Sequence, residues 1–497
     1  MKRIANVWDR LNGGKRARAV FSLCAAMAMA IALPAQTLTT LFSFDGTNGG
    51  LTYAGLIQAT NGDGYGAMTG GGVNGGGTVF RITASGNLTT IHSFCSEPDC
   101  IDGSAPYAAP VQATDGNLYG TTSSGGANTN AEYCSTGCGT VFRITPSGKL
   151  TTLHRFCSEP DCTDGSIPYA GLIQATDGDF YGTTYSGGAK GGGTVFKITS
   201  SGTLTTLYSF CLISPACTDG TAPTGRLVQA TDGNFYGTTS ASAGTVFKIT
   251  PTGTLTTLYN FQSGNGSGPQ AGLIQATDGN FYGTTFNGGA EGCCYGTLFK
   301  ITPAGTLTTL HNFCSQSDCA DGKNPWGNLI QASDGNFYGT TTLGGHCAPA
   351  PYDLCGTVFK ITPTGTLTTL YNFCSQSNCA DGEQPWAGLV QATNGDFYGT
   401  TQDGGTGLGT VFSLSVGLGP FVKTSPHAGK VGAGITVLGT DLTGTTSVSF
   451  NGTPAAFEVV SATEITATVP AGATTGKLQV TTPGGVLFSS GPFLVLP

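Results

Sequence analysis

Short alternating runs of apolar and polar residues recur along most of this chain. In Thr194 to Thr199, Phe196 and Ile198 fall on one side and Val195 and Lys197 on the other, the two-residue period of a strand. No helical periodicity competes with it. The run belongs to a longer phrase of the type GLIQATDGNFYGTT, a Gly-rich loop, then GTVFKITPTGTLTTLYNF, which returns seven times at intervals of roughly 46 to 62 residues. Its glutamines are Gln58, Gln112, Gln174, Gln229, Gln275, Gln331 and Gln391, and its tyrosines, seven residues further on, are Tyr65, Tyr119, Tyr181, Tyr236, Tyr282, Tyr338 and Tyr398.

Each copy resolves into four short strands of the types GLIQAT, NFYGTT, TVFKIT and LTTLYNF. The first turn carries Asn61-Gly62, Asp115-Gly116 or Asp278-Gly279, dipeptides that tolerate positive φ in tight hairpins. The third turn, as in Thr250-Pro251-Thr252-Gly253, sets Pro where φ is near −65° and Gly where it must be positive. Four antiparallel strands repeated seven times predict a seven-bladed β-propeller, in which neighbouring sheets bury each other and closure protects the edges. The ordered region begins with an LTTL strand, Leu38 to Phe44, whereas the seventh copy stops after its third strand at Thr410 to Leu414. Pairing these two segments would close the circle, an arrangement an open solenoid does not need.

The repeats GLIQATDGNFYGTT and GGGTVFKITPTGTLTTLYNF resemble the GloVer tandem repeats of exported bacterial proteins, over roughly residues 38 to 416. That family is described by its repeats and its variable surface anchors, so the resemblance implies export rather than an activity. The chain ends in GPFLVLP, with no hydrophobic span, basic tail or sorting motif of the anchor kind.

After Val416 the repeat grammar and the cysteines stop, and Gly417 to Pro420 reads as a linker. Short alternating strands with frequent turn signals follow, the pattern of a β-sandwich. Gly434-Ile435-Thr436-Val437, Val448-Ser449-Phe450-Asn451-Gly452, Val469-Pro470-Ala471-Gly472 and Gly476-Lys477-Leu478-Gln479-Val480 resemble the IPT/TIG immunoglobulin-like domain, which implies a spacer or interaction module. The expected organisation is a signal peptide at 1–35, an all-β seven-repeat propeller at 36–416, a linker at 417–420 and the immunoglobulin-like sandwich at 421–497.

The leader reading rests on Lys2, Arg3, Lys15, Arg16 and Arg18, which precede an apolar stretch from Ala19 to Leu33, with cleavage expected after Ala35. About fifteen apolar residues are short for a membrane span, so none is expected in the mature chain. Only 10% of residues are charged and the formal charge is −8, which leaves no basic stripe for phosphates and excludes nucleic acid as a partner.

Export gives the cysteines their meaning. Loss of residues 1–35 removes Cys24 and leaves sixteen of the seventeen. Cys95 with Cys100, Cys157 with Cys162, Cys211 with Cys217, Cys314 with Cys319, and Cys374 with Cys379 form close pairs that read as local disulfides. Metal binding would want CxxC spacing with converging histidines, and neither is present. Spacing leaves open the pairing of Cys134, Cys138, Cys293, Cys294, Cys347 and Cys355.

No catalytic constellation stands out, and no cofactor or metal is expected. His92, His154 and His311 share a repeat position with Phe42, Tyr208, Tyr259 and Tyr371, which indicates packing; His346 and His427 have no evident partner. The Asp-Gly pairs at Asp102, Asp164, Asp219, Asp321 and Asp381 follow the Cys loops and read as turns, since no DxDxDG calcium loop is present. In a four-stranded blade, the loop entering the first strand and the loop joining the second to the third share one face. The former carries Tyr53, Tyr107, Tyr169, Thr224, Gln270, Trp326 and Trp386, a mostly aromatic ring near the channel mouth. Rigid aromatic faces beside neutral polar groups suit sugar rings, and Tyr53, Tyr107, Tyr169, Trp326 and Trp386 are the candidate ligand residues, although capping of the core would use the same rings. The expected function is therefore an exported, non-enzymatic binding or surface protein, extracellular, at the cell surface or in the periplasm, taking a glycan or a protein. A propeller lyase or hydrolase and a self-associating structural protein are the alternatives.

Overall fold

A computed structural model describes residues 36–130, 132, 134–213, 217–290, 295–346 and 355–496. The expected leader at 1–35, and Cys293, Cys294 and Cys347, lie outside the described residues. The fold is all-β: among the described residues there is no α-helix, only single turns of 3-10 helix, four of them in the Cys loops.

Strand β1 (Thr37–Ser43) opens the described chain, and β2 (Leu56–Gln58), β3 (Gly64–Met68), β4 (Thr78–Ile82) and β5 (Leu88–Ser93) form the first blade in sequence order with antiparallel neighbours. Five further four-stranded blades repeat this meander from Val111 to Asn372. The seventh consists of Val390–Gln391, Phe397–Thr401, Thr410–Ser415 and β1, with Leu38 opposite Leu414. Blade 7 therefore takes its outer strand from the beginning of the described chain. In each blade the register shifts between the third and fourth strands, at Val79/Phe80 or Val195/Phe196 for example, and such a bulge adds twist at the outer edge.

The structure departs from a simple inside–outside alternation. Val195 and Phe196 are both fully buried and only Lys197 keeps surface, because each blade is packed on both faces by its neighbours. The first strands are also shorter than the GLIQAT runs suggest, with only two or three residues in the ladder.

Aromatic contacts cement the interfaces. At five interfaces the repeat tyrosine stacks on the Phe of the next blade's second strand, Tyr119 on Phe180 at 4.0 Å and Tyr338 on Phe397 at 4.3 Å among them. Each such pair is worth roughly 0.5–1.5 kcal/mol beyond its buried area. The repeat glutamines complete a circle of hydrogen bonds. Thr60 N donates to Gln112 Oε1 at 2.8 Å, and the same bond links Thr114 to Gln174, Thr176 to Gln229, Thr231 to Gln275, Thr277 to Gln331 and Ser333 to Gln391. Thr393 N donates to Gln58 Oε1 at 3.0 Å, which carries the circle across the seam between the last blade and the first.

The C-terminal segment is a sandwich of two sheets. One contains Lys423–Ser425, Gly434–Leu438, Glu464–Thr468 and Phe457–Val459. The other contains Ala428–Lys430, Gly485–Leu496, Gly476–Thr482, Ser447–Phe450 and Thr453–Pro454. Val437, Leu442, Ile465, Leu478 and Val480 fill its core. It contacts the propeller at the glutamine end: Thr463 Oγ1 donates to the Thr60 carbonyl at 3.0 Å, Thr393 and Thr440 share a hydroxyl bond at 2.9 Å, and Lys423 Nζ donates to the Gln391 carbonyl.

Candidate functional site

The first strands surround a cavity of about 1390 Å³ on the propeller axis. Strand periodicity directs alternate positions toward the axis, and Ile57, Val111, Ile173, Val228, Ile274, Ile330 and Val390 supply an aliphatic wall there. At the glutamine end the lining includes Lys423, Ser425 and Pro426 of the sandwich. At the other end lie the residues singled out in the sequence: Tyr53, Tyr107, Tyr169, Trp326 and Trp386 all line the cavity, together with Thr224 and Gln270.

These rings are half-buried and touch one another. Tyr53 stacks on Tyr107 at 4.9 Å, Tyr107 meets Tyr169 edge-on at 4.7 Å, Tyr53 meets Trp386 at 5.4 Å, and Trp386 meets Trp326 at 5.0 Å. Two rings that the repeat comparison misses extend the arc. Tyr185 packs on Tyr169 at 5.2 Å and Phe286 on Trp326 at 5.3 Å. Both follow the second strand of their own blades, where the other copies carry Thr69, Ser123, Ser240, Thr342 and Gln402, so repetition gave no signal for them. The arc is interrupted at blades 4 and 5, where Thr224 and Gln270 stand in place of the Tyr or Trp of the other copies and Ser240 lies beside them. Burial and the neighbouring Tyr169 and Tyr53 push the Tyr107 hydroxyl up to about 12, so it remains a neutral donor.

The two sets of loops converge as the blade topology requires. Ser104 bridges Ser124, Ser166 bridges Ser186 and Glu383 bridges Asp403, tying each entering loop to the loop between second and third strands. Cys95–Cys100, Cys157–Cys162, Cys211–Cys217, Cys314–Cys319 and Cys374–Cys379 are bonded, and Cys134 is bonded to Cys138. Cys355 is also disulfide-bonded. The sulfurs of Cys134, Cys138, Cys157 and Cys162 lie within 4.8 Å of one another, but as two disulfides they offer no thiolate to a metal.

The Asp-Gly carboxylates are structural anchors of these loops. Asp321 Oδ2 accepts hydrogen bonds from Ser315 N and Ser315 Oγ and lies 2.9 Å from His311 Nε2. Tyr371 and Tyr208 donate their hydroxyls to Asp381 and Asp219 in the same way, so His and Tyr are interchangeable donors at that position. Burial works to raise the Asp321 carboxyl, but the bonds from His311 and Ser315 outweigh it and hold it below the usual range. In Ser158, Asp164 and His154 the carboxylate is the middle group. A nucleophilic triad needs the imidazole there, so this is no catalytic engine. His346 and His427 are exposed.

Among the described residues no helix is long and apolar enough to cross a membrane, which leaves β-barrel insertion unaddressed. The disulfides are those of a chain compatible with an oxidising compartment.

No curated protein matches the chain. A solved structure of unknown function from Bacteroides thetaiotaomicron is 15% identical, with 77% of this chain and 76% of that chain covered and a TM-score of 0.41. A putative 6-phosphogluconolactonase from Bacteroides uniformis is 16% identical over 69% and 87%, TM-score 0.42. A PQQ-bound aldose sugar dehydrogenase from Streptomyces coelicolor is 13% identical over 65% and 97%, TM-score 0.35. The IPT/TIG domain model matches residues 421–495. The Gloeobacter/Verrucomicrobia repeat model matches residues 25–133, 97–293 and 240–454, and the chain belongs to that repeat family.

Proposed function

We propose that this is an exported, non-enzymatic binding protein whose propeller takes a glycan at the aromatic mouth of its channel. Residues 36–416 are the binding unit, and 421–497 a spacer or docking module. The repeats and the IPT/TIG domain support the coarser reading of a surface or binding protein. The observation that carries the finer one is the run of touching rings from the exposed Tyr185 through half-buried neighbours to Phe286 beside a large cavity, with Thr224, Ser240 and Gln270 at hand for hydroxyls. Rings that only capped the core would need neither the cavity beneath them nor the polar gap. Export is supported by the basic and apolar leader and by the disulfides.

The channel lining also weighs against the hydrolase alternative at this site. It contains no Asp or Glu among the described residues, and glycoside hydrolysis ordinarily needs two carboxylates.

The chain has three tryptophans, Trp8, Trp326 and Trp386, so after removal of residues 1–35 the indole emission arises from the mouth alone. Titration of residues 36–497 with a panel of polysaccharides is expected to shift that emission. A Trp326→Ala/Trp386→Ala variant with an unchanged circular dichroism spectrum should lose the binding, measured by calorimetry. Equal binding by the variant, or no binding by the unmodified protein, would reject the reading.

A further inference from the structure

Seven blades repeat the channel wall closely, and one layer breaks the repetition. The axis-facing position two residues before Ile57, and its counterparts, reads Gly55, Ala109, Gly171, Arg226, Gly272, Asn328 and Gly388. The two polar exceptions come with a second change. The preceding residue is Ala in the other five blades but Gly225 and Gly327 in these. A Cβ on Gly225 would stand 2.6 Å from Gly272 N, and one on Gly327 would stand 2.3 Å from Gly388 N, so the backbones there approach too closely for any side chain. The paired substitutions mark a local redesign of the channel rather than a drifted surface position.

Arg226 lines the cavity and makes no side-chain hydrogen bond or ion pair among the described residues; its Nε is buried and unpartnered. Buried N–H groups are normally paired, and this one is not. Burial lowers the guanidinium to about 10, which still leaves it charged at neutral pH. Lys423 lines the same cavity. The chain holds 28 acidic and 20 basic residues, yet among the described residues that line the cavity there is no carboxylate to face these two cations. Arg226 is half-buried with only its Nε sealed from water, so its charge is solvated from the cavity and free to take an anionic ligand.

Its place fits one. Arg226 belongs to blade 4, where the aromatic arc is interrupted, and Thr224, Ser240 and Gln270 line the cavity in that same sector. Asn328, the other exception, is held by accepting the Gly272 N–H at 2.7 Å on its Oδ1. We propose that Arg226, with Thr224, Ser240 and Gln270 around it, binds the carboxylate of an acidic sugar whose ring faces lie against the aromatic arc. A planar guanidinium matches a carboxylate in two parallel hydrogen bonds. The inference rests on the reading of the mouth as a saccharide site.

The test is calorimetry on residues 36–497 with tetragalacturonate and with its methyl ester, which keeps the ring faces and removes the charge. The acid is expected to bind about 10- to 100-fold more tightly than the ester. Arg226→Gln should abolish that preference while leaving the thermal midpoint in place. If Arg226→Gln fails to fold, Arg226→Gly restores the residue that blades 1, 3, 5 and 7 carry and serves instead. Equal binding of acid and ester, a preference that survives loss of Arg226, or binding of neutral glycans alone would overturn the acid subsite while the saccharide reading stands. Failure of every glycan to bind would overturn both.

Discussion

The ring of Phe44 meets the ring of Phe80 edge-on at 5.5 Å, and this contact joins the strand that completes blade 7 to the third strand of blade 1. Phe210 with Phe247 at 5.2 Å and Phe373 with Phe412 at 5.0 Å make the same contact at interior interfaces. The seam is thus built like any other junction, although its two sides come from opposite ends of the repeat region. Closure by the chain ends is what removes exposed sheet edges from a propeller.

Phe44 is fully buried, so Phe44→Ala is expected to cost about 3–5 kcal/mol, as much as Phe210→Ala at an interior junction. Denaturant unfolding of the two variants makes the comparison. A much smaller loss at Phe44 would mean that the seam is open in solution.

The glutamine circle gives a second expectation. Gln58→Ala leaves the Thr393 N–H without its acceptor and should destabilise by about 1–2 kcal/mol. Hydrogen exchange at the Thr393 amide should speed up while the amides of blade 4 stay protected. Uniform acceleration in all blades would show instead that the circle acts as one cooperative unit.

Acid sensitivity follows from the repeat carboxylates at the first turns. Burial works to raise Asp232 and Asp278, but bonds from Lys248 and Asn234, and from Lys300 and Asn280, outweigh it and bring both down to about 2. A folded pKa below the usual 3.8 favours the folded state above about pH 4, and that contribution is lost as pH falls toward 2. Thermal midpoints of residues 36–497 should decline over that window. An Asp232→Asn/Asp278→Asn variant should show a shallower decline, and an unchanged slope would refute the assignment.

The fold was legible because its signals are local. Asn61-Gly62 and Thr250-Pro251-Thr252-Gly253 announce turns, and the missing fourth strand of the last copy announces its replacement at Thr37–Ser43. What the sequence could not convey depends on position relative to the axis. The repeat glutamines are recognisable as anchors, but their bond to the preceding blade appears only once the circle is closed. The aromatic ring at Tyr53, Tyr107, Tyr169, Trp326 and Trp386 follows from topology. Tyr185 and Phe286 escape it because no repeat position predicts them. Arg226 and Asn328 stand out only when each copy is compared at the one layer where a side chain enters the channel.

A ligand seated at the mouth covers both indoles, and collisional quenching of their emission reports that directly. Residues 36–497 should be quenched by acrylamide when free and protected from it at saturation with the tightest-binding saccharide, since Trp326 and Trp386 are then the only indoles. Saccharide binding that registers by calorimetry but leaves the quenching unchanged would place the site elsewhere and contradict the account.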